Sequence, residues 1–255
     1  MSEHDSILLL ETIGHVRVVT LNRPARHHAL NYELANQLAV AIDEAEADGN
    51  VRAVVVTGSG GKAFCAGQDM LEMSGVEAAA GEVKSSSAAI AFERVAKAEL
   101  PVIAAITGVC YGGGALLALA CDIRIADFSS TYRFPGAEYG LVVGAAWLPR
   151  LVGAARAKEF ILTARKIGAD EALSSGIVSY LYETDQVLAK ALEIATQISQ
   201  NSPVAVRESK RVIDIATLEP AAERLEREIN ESLRGSDEQR ARFNQATTKV
   251  TGRKV

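Results

Sequence analysis

The segments KAFCAGQDM at residues 62–70 and GVCYGGG at residues 108–114 decide how this chain folds. Each follows an apolar run, at 53–56 and 102–106, and each precedes a segment that can be helical. Glycines at the end of a strand let the backbone approach a ligand closely, and the start of a helix leaves N–H groups without partners. Two such turns brought together could direct two N–H donors at one oxygen, as in an oxyanion hole. The two segments therefore predict chemistry on a carbonyl group.

Predicted strands alternate with predicted helices on both sides of these segments. Alternating or β-branched residues predict strands at 7–11, 16–21, 51–57, 101–106, 122–126 and 131–134. Helical spacing of apolar residues predicts helices at 32–47, 75–99, 115–121, 154–163, 168–172, 189–199, 203–215 and 220–233. This alternation is typical of an α/β fold whose sheet is covered on both faces. We expect an α/β core at residues 1–195 and a helical region at 196–255.

Length, charge and cysteine content argue against several classes of protein. The 255 residues can bury a large core, and no Pro/Ser-rich linker divides them. A net charge of −5 argues against nucleic acid as the main partner. The three cysteines and four histidines do not have the spacing of a zinc site, so we expect no metal. Free thiols and an acidic N-terminus without an apolar segment predict a cytoplasmic protein.

One stretch has the length of a membrane span. Residues 101–121 carry no charge, which meets the length criterion for crossing a bilayer. Gly112, Gly113 and Gly114 interrupt the stretch, and Asp122 follows it directly. A buried strand, a loop and a buried helix explain this pattern better, because glycines of this kind mark a turn. We therefore expect no membrane-spanning segment.

The sequence GSGGKA at residues 58–63 matches the G-x-G-x-x-A pattern of dinucleotide-binding loops. Its context is poor, because the glycines do not open directly into a predicted helix. In addition, the strand ending in an acid that should follow about 20 residues later is missing. A tight loop explains the glycines equally well.

Five short blocks follow one another along the chain: LNRP at 21–24, AL at 29–30, AFCAGQD at 63–69, GGG at 112–114 and CD at 121–122. This succession resembles the crotonase superfamily, the enoyl-CoA hydratase/isomerase group, over nearly the full length. The resemblance implies repeated ββα units wound into a superhelical α/β core. It also implies a C-terminal helical region that forms a homotrimer, often paired into a homohexamer.

The resemblance implies an acyl-CoA substrate, with no cofactor beyond the coenzyme A thioester itself. The thioester oxygen would lie between the backbone N–H groups of Gln68 and Gly113. Fixed donors stabilise the charge that develops on an enolate oxygen by about 3 kcal/mol each. The dipole of the helix predicted to begin near Ala115 would act in the same direction.

Contacts to coenzyme A are implied in the same way. Basic side chains would meet the phosphates as charge partners, backbone groups would contact the pantetheine, and an aromatic ring would lie beside the adenine. The matching positions are Ala25, Arg26, Lys62, Ala66, Met70 and Phe243. By the same analogy, the apolar run 141–146 with Trp147 would border the acyl chain.

The two glutamates with which hydratases of this family add water are missing. One lies two residues after the triple glycine and the other directly follows a proline, and these positions hold Leu116 and Gly136 here. Gly140 and Gly144 fall where expected, which fixes the register. Since each such acid or base contributes about 10²–10⁴ in rate, efficient hydration by the usual mechanism is not expected. Glu138, two residues beyond the second position, is a candidate replacement.

Three functions stay open at the level of sequence. The first is an acyl-CoA enzyme with altered acid/base groups, for example an isomerase, a decarboxylase or another lyase. The second is a non-catalytic protein that carries or senses acyl-CoA. The third is an NAD(P)-dependent oxidoreductase that uses the glycines at 58–63. We favour the first because its motifs extend over most of the chain.

Overall fold

The computed structural model describes residues 6–74 and 86–253, and ten strands lie within these ranges. The strands are β1 (Leu8–Ile13), β2 (Val16–Leu21), β3 (Ala53–Gly58), β4 (Ala63–Cys65), β5 (Val102–Ile106), β6 (Val109–Tyr111), β7 (Ile123–Asp127), β8 (Thr131–Arg133), β9 (Ile167–Gly168) and β10 (Tyr180–Tyr182).

Ten α-helices lie in the same ranges. The helices are α1 (Tyr32–Ala47), α2 (Met70–Met73), α3 (Ser87–Ala96), α4 (Gly113–Ala120), α5 (Pro149–Thr163), α6 (Ala169–Ser175), α7 (Val187–Ser199), α8 (Pro203–Thr217), α9 (Pro220–Leu233) and α10 (Asp237–Thr251). Helix α1 begins at a typical N-cap, because the side chain of Asn31 accepts a hydrogen bond from the N–H of Leu34.

Successive strands alternate between two sheets. The larger sheet has the order β1-β2-β3-β5-β7-β10, and the smaller has the order β4-β6-β8-β9. From β3 to β8, each strand of the larger sheet is followed by one of the smaller sheet. Strands β3, β5 and β7 pair in parallel, as do β4, β6 and β8. This is the predicted superhelix of ββα units.

Both faces of the larger sheet are buried because side chains alternate along each strand. On one face, Val55 and Ile103 pack with Ala191 of α7. On the other face, Val54 and Ala104 belong to the main core, which includes residues of α1, α3 and α4. The continuous apolar runs at 53–56 and 102–106 therefore reflect central parallel strands.

The structure corrects several predicted boundaries. Helix α4 begins at Gly113 rather than Ala115, because the second and third glycines already have helical backbone and only Gly112, at φ +52°, does not. Helix α5 begins at Pro149, and the kink at Gly153 hid its first turn from the apolar pattern. Strands such as β4 and β6 escaped prediction because three residues carry too little periodicity.

The structure also bears on the predicted helices, the expected domain boundary and the charge-free stretch. The predicted helix at 75–99 is described only from residue 86 onward, where α3 occupies Ser87–Ala96. Helix α10 had not been predicted as an element. The expected boundary at residue 195 falls inside α7, whose Ala195 still packs on the larger sheet. The charge-free stretch 101–121 forms β5, β6 and α4. Along residues 6–74 and 86–253, no helix combines the length and apolar character that crossing a bilayer requires.

Arg124 ties α4 to the larger sheet. Its side chain is buried, and Nε donates to the carbonyl of Ile177 at 2.7 Å. Nη1 donates to the carbonyls of Ala118 and Cys121, which belong to the end of α4. A cation at this position satisfies carbonyls that the helix leaves unpaired and interacts favourably with the helix dipole. Arg124 thus fixes the helix that carries the triple glycine.

Replacing Arg124 should destabilise the fold strongly. We expect Arg124→Leu to lower the free energy of unfolding by about 3 kcal/mol, because buried carbonyls lose their donors. Arg124→Lys should cost less, since it keeps the charge but lacks the planar fork of donors. Urea unfolding followed by circular dichroism measures both. An unchanged midpoint and slope for Arg124→Leu would contradict the anchoring role.

Candidate active site

The turn after β4 is held from one side by Leu30. The N–H of Leu30 donates to the carbonyl of Gly67 at 2.7 Å, and the N–H of Asp69 donates to the carbonyl of Leu30 at 2.9 Å. Backbone groups of successive residues in an extended chain point in opposite directions. The N–H of Gln68, between these two bonds, therefore points away from Leu30.

A buried ion pair fixes the same turn. Arg23 Nη1 lies 3.0 Å from Asp69 Oδ2, and the side chain of Asp69 is only 5% exposed. The other carboxylate oxygen accepts from the N–H of Leu71 at 3.2 Å and caps α2. Arg23 Nη1 also donates to the carbonyl of Ala29. Because both partners have further hydrogen bonds, the pair holds the turn firmly. Arg23 lies in the LNRP block and Asp69 in the AFCAGQD block.

Each residue of the triple glycine meets a separate steric limit. Gly112 has φ +52° and ψ −120°, which side chains rarely tolerate. A Cβ at Gly113 would lie 2.5 Å from Cβ of Ala88, and a Cβ at Gly114 would lie 2.1 Å from the carbonyl oxygen of Cys65. The glycines therefore allow α4 to begin directly against β4 and α3.

The two turns bring two backbone N–H groups to one place. A Cβ built at Gly67 would lie 3.0 Å from the nitrogen of Gly113, and a Cβ built at Gly113 would lie 3.4 Å from the nitrogen of Gln68. Within residues 6–74 and 86–253, neither Gln68 nor Gly113 donates its N–H to a protein acceptor. Gly113 is also the first residue of α4, where the helix dipole favours negative charge. The arrangement can bind an oxygen that becomes anionic.

A cavity of about 650 Å³ opens beside these donors. Apolar side chains make up much of its wall, among them Phe92, Leu116, Leu141, Val142, Val143 and Trp147. Trp147 packs edge-on against Phe92, with ring centroids 5.0 Å apart. The volume and the apolar lining suit a small-molecule ligand with an apolar part.

The structure brings most of the predicted site residues together at this cavity. Those that line it are Ala66, Gln68, Met70, Gly113, Leu116, Gly136 and Phe243. The ring of Phe243 packs edge-on against Tyr139, with centroids 6.2 Å apart. Ala25, Arg26 and Lys62 are exposed and are not part of the lining, although His27, next to Arg26, is.

Glu138 lies apart from the cavity wall. Its carboxylate forms an ion pair with Arg133, whose Nε also donates to the carbonyl of Ala164 at 2.6 Å. The side chain of Glu138 is 36% exposed. Glu138 therefore neutralises Arg133, which does line the cavity.

The thiols near the site are protonated at neutral pH. Burial raises the pKa of Cys65 to about 12 and raises the pKa of Cys110 well above its ordinary value. Cys110 Sγ is directed at the carbonyl of Gly114, at 3.6 Å. A thiol that remains protonated is a poor nucleophile, so these cysteines act as small core residues.

Four polar residues of α9 also line the cavity, and the sequence did not reveal them: Glu223, Glu226, Arg227 and Asn230. Glu226 and Asn230 contact the backbone of residues 142–146, at least 80 positions earlier in the chain. Burial raises the pKa of Glu226, although hydrogen bonds from backbone N–H groups oppose the shift. On an amphipathic helix these residues look like an ordinary solvated face.

The glycine-rich loop at 58–63 does not have the geometry of a dinucleotide site. After Gly61 the chain enters β4 rather than a helix. A Cβ at Gly58 would lie 2.3 Å from the carbonyl oxygen of Ala63, so this glycine is needed for close packing of the chain on itself. The loop lacks the helix N-terminus on which a pyrophosphate would bind.

Comparison with known proteins identifies the family of this chain. The enoyl-CoA hydratase/isomerase family matches residues 11–249. A short-chain-enoyl-CoA hydratase from Clostridium acetobutylicum is 42% identical over 212 residues, which are 81% of this chain and 80% of that protein. A putative enoyl-CoA hydratase/isomerase from Bacillus subtilis, YngF, is 40% identical over 215 residues, 82% of each chain.

A solved structure extends the likeness to the whole fold. The crystal structure of an enoyl-CoA hydratase/isomerase from Pseudoalteromonas atlantica superimposes with a TM-score of 0.85 at 30% identity, covering 97% of this chain and 98% of the other. Sequence and fold thus agree over the region that carries the two N–H donors and the cavity. The chain belongs to the enoyl-CoA hydratase/isomerase family of the crotonase superfamily.

Proposed function

We propose that this enzyme converts acyl-CoA thioesters through an enolate whose oxygen is bound by the N–H groups of Gln68 and Gly113. The acid/base groups are not those of the usual hydratase. The proposal rests on one observation: two backbone donors that have no acceptor among the described residues face the same space beside an apolar cavity. Donors fixed in advance stabilise developing charge without the cost of reorganisation.

The two positions expected to hold glutamates offer no acid or base. Leu116 presents a hydrocarbon side chain to the cavity, and Gly136 has none. A Cβ at Gly136 would lie 2.6 Å from Cβ of Val143, so the space for a side chain there is already filled. These contacts disfavour the addition of water. They favour instead reactions of the enolate that need few proton-transfer groups.

The nucleotide part of coenzyme A is proposed to bind outside the cavity. Arg26 and Lys62 are exposed and would be the charge partners of the phosphates, while Ala66 and Met70 line the cavity, where their backbone would contact coenzyme A. A trimer or hexamer is proposed from the family resemblance. Helix α8 supports an oligomer, because four of its apolar side chains are more than half exposed and could be covered by another copy of the chain: Val204, Val212, Ile213 and Ile215. The cytosol, predicted from the free cysteines, suits such a reaction.

The second candidate is a non-catalytic acyl-CoA carrier, and the apolar Leu116 is the observation in its favour. Assays of purified protein with crotonyl-CoA and a 3-enoyl-CoA distinguish the two. Turnover supports the enzyme, whereas tight thioester binding without turnover supports the carrier. A thermal shift with NADH, but with neither acyl-CoA nor CoA, would contradict both and restore the oxidoreductase hypothesis.

Removing the N–H of Gln68 should impair the enzyme selectively. Gln68→Pro deletes the donor, and we expect turnover to fall by about 10²–10³. Gln68→Ala is the matched control, because it removes the side chain but keeps the N–H, and it should lose far less. A change at Gly113 is less suitable, because any Cβ there collides with Ala88.

The measurement for Gln68→Pro compares two ligands. Isothermal titration should show weaker binding of acyl-CoA and nearly unchanged binding of free CoA, because only the thioester oxygen contacts the donor. Circular dichroism and the melting temperature control for folding. Equal losses for both ligands in a folded variant would show that Gln68 does not bind the thioester.

Adding a carboxylate at position 116 should create hydratase activity. Leu116→Glu places an acid/base group in the cavity, and we expect crotonyl-CoA hydration to rise by about 10²-fold. Leu116→Gln is a control of the same shape that cannot exchange protons as a carboxyl does. Absorbance of the conjugated thioester follows the reaction. If both variants stay folded, bind acyl-CoA and hydrate equally, the register that assigns Leu116 is wrong.

A further inference from the structure

Helix α9 brings two carboxylates to the cavity, those of Glu223 and Glu226. They are three residues apart, so both lie on the same face of the helix. Helix α9 buries none of its 14 residues completely, so an apolar face buried in the core is not what holds it. Polar contacts with residues 142–147 connect it to the wall of the cavity.

The carboxylate of Glu226 is fixed by two backbone donors. Oε1 accepts the N–H of Gly144 and Oε2 accepts the N–H of Ala146, each at 2.8 Å. Two carboxylate oxygens offer about four lone-pair sites, so these bonds leave sites open for another partner. The group is thus held in place without being saturated.

A short series of contacts connects Glu226 to the oxyanion donors. Leu116 lies one helical turn after Gly113 and lines the same cavity. A Cβ built at Gly144 would lie 3.1 Å from Leu116 Cδ2. Glu226 Oε1 binds the N–H of this same Gly144, so the carboxylate and the side chain of Leu116 both lie next to Gly144. Glu226 thus brings a carboxylate to the same cavity in which α4 places the apolar Leu116.

The surroundings of Glu226 suit a group that gains and loses a proton. Burial raises the pKa of its carboxyl, and the negative charge of Glu223 acts in the same direction. Backbone hydrogen bonds from residues 144–146 lower the pKa and oppose this shift. A carboxyl whose pKa is raised toward the working pH is a better proton carrier than an exposed one.

Glu223 has a different role. Its Oε1 accepts the indole N–H of Trp147 at 2.6 Å. Trp147 packs on Phe92, and the guanidinium of Arg150 lies over the same indole at 4.8 Å from the ring centroid. Glu223 therefore holds the aromatic wall, and it adds negative charge beside Glu226.

We propose that Glu226 is a catalytic residue that moves protons on the acyl chain. The proposal rests on the proposed function, because it requires an enolate bound at Gln68 and Gly113. With a 3-enoyl thioester, the carboxylate takes a proton from C2. The electron pair of the C–H bond is then delocalised onto the thioester oxygen, which gives a dienolate. Glu226 then donates a proton to C4, either the one it took or one exchanged with solvent while the dienolate is bound, and the double bond moves from C3–C4 to C2–C3. Isomerisation is thus balanced with one carboxyl group and no water.

The test follows the C2 protons of 3-hexenoyl-CoA in D2O by proton NMR, using the full chain. Wild type should exchange them and form the 2-enoyl thioester. Glu226→Gln should slow both processes by at least about 10²-fold, because an amide cannot carry the proton. Affinity for hexanoyl-CoA, which needs only the oxyanion donors, should change little. Glu228→Gln, an exposed change on the same helix, is the matched control and should behave as wild type.

The possible results separate the role of Glu226 from the proposed function. Exchange at the wild-type rate in folded Glu226→Gln overturns the role of Glu226 while leaving the proposed function intact. Loss of exchange in Glu223→Gln but not in Glu226→Gln overturns it in favour of Glu223. Neither exchange nor isomerisation in wild type that still binds hexanoyl-CoA overturns both proposals. If Glu226→Gln fails to fold, Glu226→Asp decides: its retracted carboxylate must slow exchange, and a wild-type rate refutes the role.

Discussion

Close contact between two stretches of main chain is the constraint on which the site depends. Strands β4 and β6 pair in parallel, with Ala63 opposite Val109 and Cys65 opposite Cys110, so both turns leave the smaller sheet at the same edge. A donor from each turn can face one oxygen only if no side chain lies between them. Glycine is therefore required where the two turns meet. A Cβ built at Gly67 or at Gly113 would lie too close to atoms of the neighbouring segments.

Hydrogen bonds and one ion pair hold both turns in place. The bonds of Leu30 and the buried pair of Arg23 and Asp69 hold the first turn. Arg124 holds the end of α4, which carries the second. Preorganisation of this kind is what makes backbone donors effective at stabilising charge. One wall of the cavity is built from apolar residues of 141–147 and closed by α9, which is attached mainly through polar contacts.

Backbone and side-chain groups have different roles in the proposed site. In the proposed mechanism, backbone atoms supply the charge stabilisation, which leaves side chains free to vary with the reaction. A leucine at position 116 and a glycine at position 136 make the cavity apolar where it borders α4 and Val143. The carboxylates come from a helix at the other end of the chain. A family that shares one binding step can change its proton chemistry through such substitutions without altering the fold.

The sequence by itself determined the central strands and the two glycine turns, while the ββα units were implied by the family resemblance. The strands and the turns have local signals, because a buried strand is a run of apolar residues and a backbone turn at positive φ requires glycine. It also placed Gln68 and Gly113 at the site. Only the tertiary structure decided that Glu138 binds Arg133 and that Glu226 reaches Gly144. Contacts between side chains and backbone far apart in the chain leave no periodic trace in the sequence, since they depend on how α9 packs across the cavity.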